Sequence, residues 1–396
     1  MYCLGIECTA HTFGAAVVDS SGRFLSNEKA SFTSSGKGMV PREVLGFHQA
    51  HRDLVLQKAL EPLGPDASEK IDAIAVSQGP GIGTLLHEGL EFVKPLAGQW
   101  GVPLLGVNHA VAHLEIGRKE CKAKDPVYLY VSGGNTQLLV RDDGVDGGSG
   151  VVTVKKGQSA DNGKNRRASR YAVVGETLDI GIGNLLDKSA RLLGLGFPGG
   201  PPLYELSLQG KQFVELPYTV KGMDVCFSGL YTAFKNRFEN AETGGIAVKN
   251  HGAVLGKTDG AGSGKTNAAG SGKTCDVVAG KKDADVLPAD LAFSLQEVAF
   301  DMVCEASERA LAHFEKDELV LAGGVACSKI LQHKTKVMCE ERGARMLVPE
   351  NKFLTDNGAM IAWNGLLALK AGQKPLGADA KARPDWRADA VDVLWA

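Results

Sequence analysis

Two histidines four positions apart, in His109-Ala-Val-Ala-His113, are the side chains of this sequence best spaced to hold a metal ion. Side chains at i and i+4 of a helix share one face, and imidazole nitrogen is a ligand for zinc and for iron. Two ligands underfill a site that takes three or four. A third is offered by Asp356 in Thr355-Asp356-Asn357-Gly358, an acid expected to open a helix. Two imidazoles and a carboxylate with open positions suit a Lewis-acid metal or a non-haem iron. Taken singly, an ordinary histidine pair and an ordinary helix N-cap explain the same residues equally well. A protease of the H-E-x-x-H kind is a poorer match, because Ala110 stands where that motif carries its general base.

The second candidate is built from backbone. Ser132-Gly133-Gly134-Asn135-Thr136 and Gly323-Gly324 each follow an expected strand, so N–H groups there can approach a phosphate or nucleotide with no Cβ in the way. One such turn is more often only a tight turn. Two of them at the strand ends of two lobes carry more weight, because open α/β sheets bind ligands outside the carboxyl ends of their strands. Gly-Lys-Thr also recurs every eight residues, ending at Thr258, Thr266 and Thr274. A phosphate-binding G-x-x-x-x-G-K-[ST] loop would need an earlier glycine where this chain has His251, Asp259 and Asn267, and no strand precedes the segment.

The elements that must position these groups read as α/β. Tyr2–Glu7 and Phe13–Val18 alternate as a hairpin, and Val127–Tyr130 with Gln137–Val140 repeat its layout. That repetition suggests a duplication with one hairpin heading each lobe. Between them fall a helix over Phe47–Leu60, a strand over Ile71–Val76, a Gly/Pro turn at 79–83, a further helix and a strand over Pro103–Val107. Helices follow around Asn184–Leu193, Asp290–His313 and Asp356–Leu369, with a strand over Glu318–Ala322. At 396 residues the chain exceeds what one core comfortably serves, so two lobes are expected. They divide as 1–118 and 119–396, with the C-terminal helix returning to the first. Residues 142–169 and 239–288 are rich in Gly, Ser, Ala and Lys without periodicity and read as surface insertions. The formal net charge of −2 gives no global attraction to nucleic acid. Eight scattered cysteines with no C-x-x-C pair read as reduced thiols. No apolar run approaches a membrane span, and the expected setting is cytoplasmic, with the nucleus as a second location.

Ten motifs in order carry a resemblance to a known family. Gly5-Ile-Glu-x-Thr9-Ala10, Ser77-Gln-Gly-Pro-Gly-x-Gly83, Gly106-Val-Asn-His-x-x-x-His113, Tyr130-Val-Ser-Gly-Gly-Asn-Thr-Gln137 and Gly175-Glu-Thr-Leu-Asp-Ile180 form the first half. Leu216-Pro-Tyr-Thr-Val-Lys-Gly-Met-Asp224, Phe227-Ser-Gly229, Phe293-Ser-Leu-Gln-Glu297, Gly323-Gly-Val-Ala326 and Asp356-Asn-Gly-Ala-Met-Ile-Ala362 complete it. The chain thus resembles the archaeal and eukaryotic tRNA threonylcarbamoyltransferases, catalytic subunits of the KEOPS/EKC complex, over nearly its whole length. The resemblance implies an actin-like (ASKHA) two-lobed α/β fold of duplicated RNase H-like domains. It implies transfer of threonylcarbamoyl from threonylcarbamoyl-AMP to N6 of the adenosine 3′ to the anticodon in ANN-decoding tRNAs. By the same resemblance His109, His113 and Asp356 hold one divalent metal, iron or zinc, as the catalytic set. Tyr130, Val131, Ser132, Gly133 and Gly134 cradle the phosphate side of the bound adenylate or ATP, and Asp187 and Gly200 meet the nucleoside. The implied partners are tRNA, a kinase subunit and small subunits of the complex, with no membrane. The chain departs from the family at Ser328, where an asparagine is usual, at Tyr204, where an acid meets the ribose, and at His87, where an arginine is usual. These departures leave two other readings: a catalytically weakened or scaffold paralogue, and a metallopeptidase on the same fold.

Overall fold

The computed structural model describes residues 1–35, 38–142, 169–242 and 286–395. Its first sheet contains β1 (Tyr2–Glu7), β2 (Thr12–Asp19), β3 (Glu28–Ser31), β4 (Ala73–Gly79) and β5 (Leu104–Asn108), in the order β3-β2-β1-β4-β5. The helices of this half are α1 (Pro41–Leu60), the one-turn α2 (Ala67–Lys70), α3 (Gly83–Trp100) and α4 (His109–Cys121). The second sheet contains β6 (Val127–Val131), β7 (Thr136–Asp142), β8 (Arg170–Glu176), β11 (Glu318–Ala322) and β12 (Arg345–Leu347), ordered β12-β11-β6-β7-β8. A two-stranded ribbon, β9 (Val220–Lys221) and β10 (Asp224–Val225), stands apart. Its helices are α5 (Ile182–Leu192), α6 (Gly200–Ser207), α7 (Ser228–Glu242), α8 (Pro288–His313) and α9 (Lys329–Arg342), followed by the short α10 (Asn351–Leu354) and by α11 (Gly358–Lys370).

Read from β8, the second sheet repeats the first. In each, a hairpin and a third strand pair antiparallel, and two further strands add in parallel to the first strand of the hairpin. Two copies of one five-stranded topology, each with helices on its faces, make the expected two-lobed actin-like α/β fold. Strand alternation decides which side meets which helix. Leu4 and Ile6 of β1 face α1 and α3, whereas Cys3 faces α4 and α11. With both faces covered, β1 and β4 are nearly continuous buried runs.

Helix α4 is enclosed on all sides. Ala112 and Ile116 join the core under the first sheet, and Ala110, Val111 and Leu114 join Tyr128, Tyr130 and Val320 of the second. Every residue from His109 to Gly117 is buried. The helix carrying both histidines is therefore wedged between the lobes. Helix α11 brings the other end of the chain back to the first sheet, pressed so closely that a Cβ on Gly5 would lie 2.1 Å from the Ala362 nitrogen. A Gly5→Ala protein should lose about 1–3 kcal/mol of stability, because backbone there cannot yield without moving α11. Urea unfolding checks this, and an unchanged midpoint would show that the contact relaxes freely.

The ends of the two expected insertions are more regular than a loop reading allows. Asp142 closes β7 and Ser169 pairs with Val393, while α7 extends to Glu242 and α8 begins at Pro288. The remainder, with the Gly-Lys-Thr repeats, lies outside the described residues. Helix α1 also starts earlier than its apolar pattern suggests, because Pro41 supplies an N-terminal turn that needs no N–H. Among the described residues the cysteines are unpaired, and no helix is long and apolar enough to cross a membrane.

Candidate active site

Strand β5 runs without a loop into α4, so the first residue of the helix emerges at a strand's carboxyl end. Asn108 caps the helix by accepting from the Val111 N–H at 3.0 Å. His109 and His113 then share one face, with ring centroids 4.7 Å apart and rings at 85°. Asp356 approaches from the segment before α11, its Oδ1 lying 3.6 Å from His109 Nε2 and 3.3 Å from His113 Nε2. One ligand atom from each residue falls within 4.8 Å of the others. The sequence suggested that Asp356 opens the helix; the cap is instead Asn357, which accepts from the Met360 N–H at 3.0 Å. That division of labour leaves the Asp356 carboxylate to the histidines.

Behind His109 lies a residue outside the ligand set read from the sequence. Glu7, fully buried at the end of β1, accepts from His109 Nδ1 at 2.9 Å and from the Thr9 N–H at 2.7 Å. The Thr9 hydroxyl donates to the same carboxylate at 2.5 Å. Donation by Nδ1 fixes the tautomer that presents the Nε2 lone pair to a metal. The sequence signal for Glu7 was a charge ending a strand that is otherwise apolar. Lys29 stiffens the other side, its Nζ 2.6 Å from Thr355 Oγ1 and 3.3 Å from the Asp356 carbonyl.

The electrostatics follow from these contacts. Burial pulls the His109 imidazole down, but the charge and hydrogen bond of Glu7, with Asp356 adding to them, overcome this and hold it up at about 9. Burial keeps His113 below its ordinary value. Burial opposes ionisation of Asp356, yet the His113 hydrogen bond and both imidazole charges hold it well below the usual carboxylate range. The hydroxyl of Tyr130, whose ring lies 5.5 Å from that of His113, is buried with no hydrogen-bond partner of good geometry. Two imidazole nitrogens and a carboxylate converging on one point are a donor set that fits a divalent transition metal. Because His109 carries a proton below about 9 and a ligand nitrogen cannot, metal binding should displace one proton. Apparent metal affinity should then rise about tenfold per pH unit up to about pH 9 and level off above it. Competition against a chelator at several pH values measures the slope; a flat profile from pH 7 to 9 would show that His109 is already neutral.

The residues expected on the phosphate side form a separate surface that meets the triad through the Tyr130 ring, 5.5 Å from that of His113. Val131 lies in the core, so only its backbone is available. The Ser132 N–H donates to the Asn135 carbonyl at 2.8 Å, closing the turn. The N-terminus of α5 backs onto it, with Gly183 N donating to the Ser132 carbonyl and Asn184 N to the Gly133 carbonyl. Those helix donors are used up within the fold. A Cβ on Gly133, Gly134 or Gly200 would meet nothing within 4 Å, so the space above each is open. Gly323, at φ +89°, must be glycine for another reason: its Cβ would lie 2.3 Å from the Val131 carbonyl oxygen.

Asp187 accepts from the Gly199 N–H at 2.7 Å and thereby sets the start of α6, where Gly200 stands. Burial pushes its carboxyl up. Tyr204 is half-buried one turn further along α6. Ser328 caps α9, its Oγ accepting from the Leu331 N–H at 3.4 Å, which leaves its own O–H free to donate. The first lobe closes over this surface where Ser34 and Phe197 exchange backbone hydrogen bonds of 3.0 and 2.7 Å.

A family model described as TsaD: tRNA N6-adenosine threonylcarbamoyltransferase matches residues 22–153 and 159–363. The tRNA N6-adenosine threonylcarbamoyltransferase of Methanothrix thermoacetophila is 39% identical over 396 residues, covering 100% of both chains. That of Thermofilum pendens is 38% identical over 392 residues, covering 99% of this chain and 96% of its own. A probable bifunctional tRNA threonylcarbamoyladenosine biosynthesis protein of Methanocaldococcus jannaschii is 38% identical over 100% of this chain and 60% of its own length. Among solved structures, full-length HypF in its phosphate- and nucleotide-bound form is similar with a TM-score of 0.52 at 10% identity, over 93% of this chain and 46% of that one. At that identity the likeness is one of fold.

Proposed function

The chain belongs to the tRNA N6-adenosine threonylcarbamoyltransferase family, and from that membership we propose how its interlobe cleft carries out the transfer. The protein is a transferase that modifies tRNA, forming threonylcarbamoyladenosine. The observation that carries the mechanistic reading is the convergence of His109 Nε2, His113 Nε2 and Asp356 Oδ1 from the two ends of the chain. These residues would hold one divalent ion, iron or zinc, with the Tyr130 ring 5.5 Å from that of His113. When bound, such an ion supplies Lewis-acid stabilisation of charge on a mixed anhydride.

The rest of the work falls to the protein's own groups. The Gly133 and Gly134 N–H groups, beneath open space, receive the phosphate of threonylcarbamoyl-AMP and stabilise the charge that grows there as AMP departs. Asp187, Gly200, Tyr204 and Ser328 line the nucleoside side. The amine N6 of the adenosine 3′ to the anticodon in an ANN-decoding tRNA attacks the carbamoyl carbon, the bond to the phosphate oxygen breaks, AMP leaves with the electron pair, and the proton lost by N6 is taken up by the departing phosphate. A peptidase reading gains nothing from the site, because Ala110 cannot serve as a base and Glu7 is spent on His109 and Thr9.

A chain of net charge −2 is poorly equipped to hold a polyanion alone. Companions are therefore expected, and the resemblance to KEOPS/EKC catalytic subunits makes them a kinase subunit and small subunits, in the cytoplasm with the nucleus as a second location. The test is reconstitution of the chain with such partners, ATP, threonine, bicarbonate, an adenylate-forming enzyme and an ANN-decoding tRNA. Nucleoside mass spectrometry should find threonylcarbamoyladenosine only when this chain is present; its formation in the chain's absence, or never, would overturn the reading.

A further inference from the structure

The two hairpins repeat at their tips as well as in their strands. Four residues, Cys8–His11, join β1 to β2, and four, Ser132–Asn135, join β6 to β7. Each tip stands at the carboxyl end of its sheet's central strand, where open α/β sheets take their ligands. The second tip offers the Gly133 and Gly134 N–H groups, which cover a phosphate from one lobe only. We propose that His11, the last residue of the first tip, donates a hydrogen bond from its imidazole to the same phosphate, so that the adenylate is gripped between the lobes. The proposal rests on the transferase reading above and deepens it, adding a side chain outside the residues named there.

The first tip already reaches the reacting region, because Thr9 Oγ1 lies 3.2 Å from His109 Nδ1. His11 is then aimed across the cleft. Its ring packs edge-on against that of Phe197 in the second lobe, with centroids 5.6 Å apart and planes at 84°. Phe197 precedes by two residues Gly199, whose N–H is held by Asp187, so the imidazole stands beside the wall that meets the nucleoside. Its field agrees with that position: burial is the leading influence on the carboxyls of both Asp187 and Asp356, and the imidazole counters it at each. The placement is firm. The Phe32 N–H donates to the His11 carbonyl at 2.8 Å, and Thr12 Oγ1 lies 3.0 Å from Ser31 Oγ, which ties the tip to β3. Yet among the described residues nothing is hydrogen-bonded to the ring nitrogens of His11, which is half-buried. An imidazole carries at least one N–H in either of its ordinary charge states, so a donor without a protein acceptor faces the cleft. Its bond to a phosphate oxygen would be charge-assisted and therefore of the stronger kind. Lys29 of β3 does not compete for this role, since its Nζ is already engaged by Thr355 and the Asp356 carbonyl.

Equilibrium binding of AMP and of adenosine to the full chain isolates the phosphate. Wild type should bind AMP more tightly than adenosine. His11→Phe keeps an aromatic ring against Phe197 but has no N–H, and it should lose roughly 10- to 150-fold of that preference. Its affinity for adenosine, its metal content and its unfolding midpoint should stay unchanged. His11→Gln, which restores an N–H donor, should regain part of the preference. In the reconstituted reaction His11→Phe should lower kcat/KM for threonylcarbamoyl-AMP by a similar factor, with the KM for tRNA unaltered. An AMP preference that His11→Phe leaves intact, or an adenosine affinity that falls as far as the AMP affinity, would overturn the proposal. Should His11→Phe not fold, His11→Ala carries the same expectation, with its unfolding midpoint as the control for lost packing. A wild-type chain that binds neither compound would fault the adenylate reading itself, and the proposal with it.

Discussion

His113→Ala protein should come off a column without its metal. The imidazole it lacks is one of three converging ligands, and it is 1% exposed between two sheets, so no solvent-borne group replaces it easily. An ion left on His109 and Asp356 alone is undersaturated. The expected result is metal content near zero by elemental mass spectrometry, with transfer activity reduced by several orders of magnitude and the fold retained. The fold should survive a loss of stability from the cavity left behind, because the truncation also removes a buried Nδ1 that has no partner. Wild-type metal stoichiometry in this variant would mean that the ion, if any, sits elsewhere.

The second large effect belongs to Glu7, which touches no reacting group in the transfer as drawn. Its carboxylate holds His109 Nδ1, and loss of such an outer partner typically costs 10- to 100-fold in metal affinity. Glu7→Gln keeps a hydrogen-bond acceptor for Nδ1 but removes the charge, so it should fall between wild type and Glu7→Ala. Glu7→Ala also strands the Thr9 N–H in a buried turn, which should destabilise the protein by about 1–3 kcal/mol. A structural role alone would lower the unfolding midpoint in proportion and leave metal affinity untouched. The positioning role is distinguished by affinity that follows the series wild type, Gln, Ala, together with loss of the pH slope set by His109.

Much of this architecture was legible beforehand for identifiable reasons. Strand-forming residue types in Tyr2–Glu7 and Val127–Tyr130, each followed by a polar small-residue turn, gave away two equivalent hairpins, because residue type and turn chemistry are local even where a strand is buried on both faces. The helical spacing of His109 and His113 likewise needs only one turn of helix. What could not be read locally was long-range. The union of Asp356 with the histidines across 243 residues depends on α11 docking against β1, which the motif order hinted at but no periodicity encodes. The N-cap was assigned one residue early, since Asp and Asn are both good caps and only the path of the chain decides between Asp356 and Asn357. Glu7 and Asn108 stand within the quoted motifs but received no role, because their importance lies in what they hold rather than in their type.

The central claim is that one ion held by His109, His113 and Asp356 is needed for transfer of the threonylcarbamoyl group to tRNA. Chelated wild-type chain, reconstituted with its partners and retitrated with zinc or iron, tests it most directly. The transfer rate should fall to background on chelation and climb linearly to a plateau at about one equivalent of metal per chain, as three converging ligands require, while Asp356→Asn protein shows no recovery. A rate that chelation leaves unchanged, or that Asp356→Asn protein regains in full, would contradict the account.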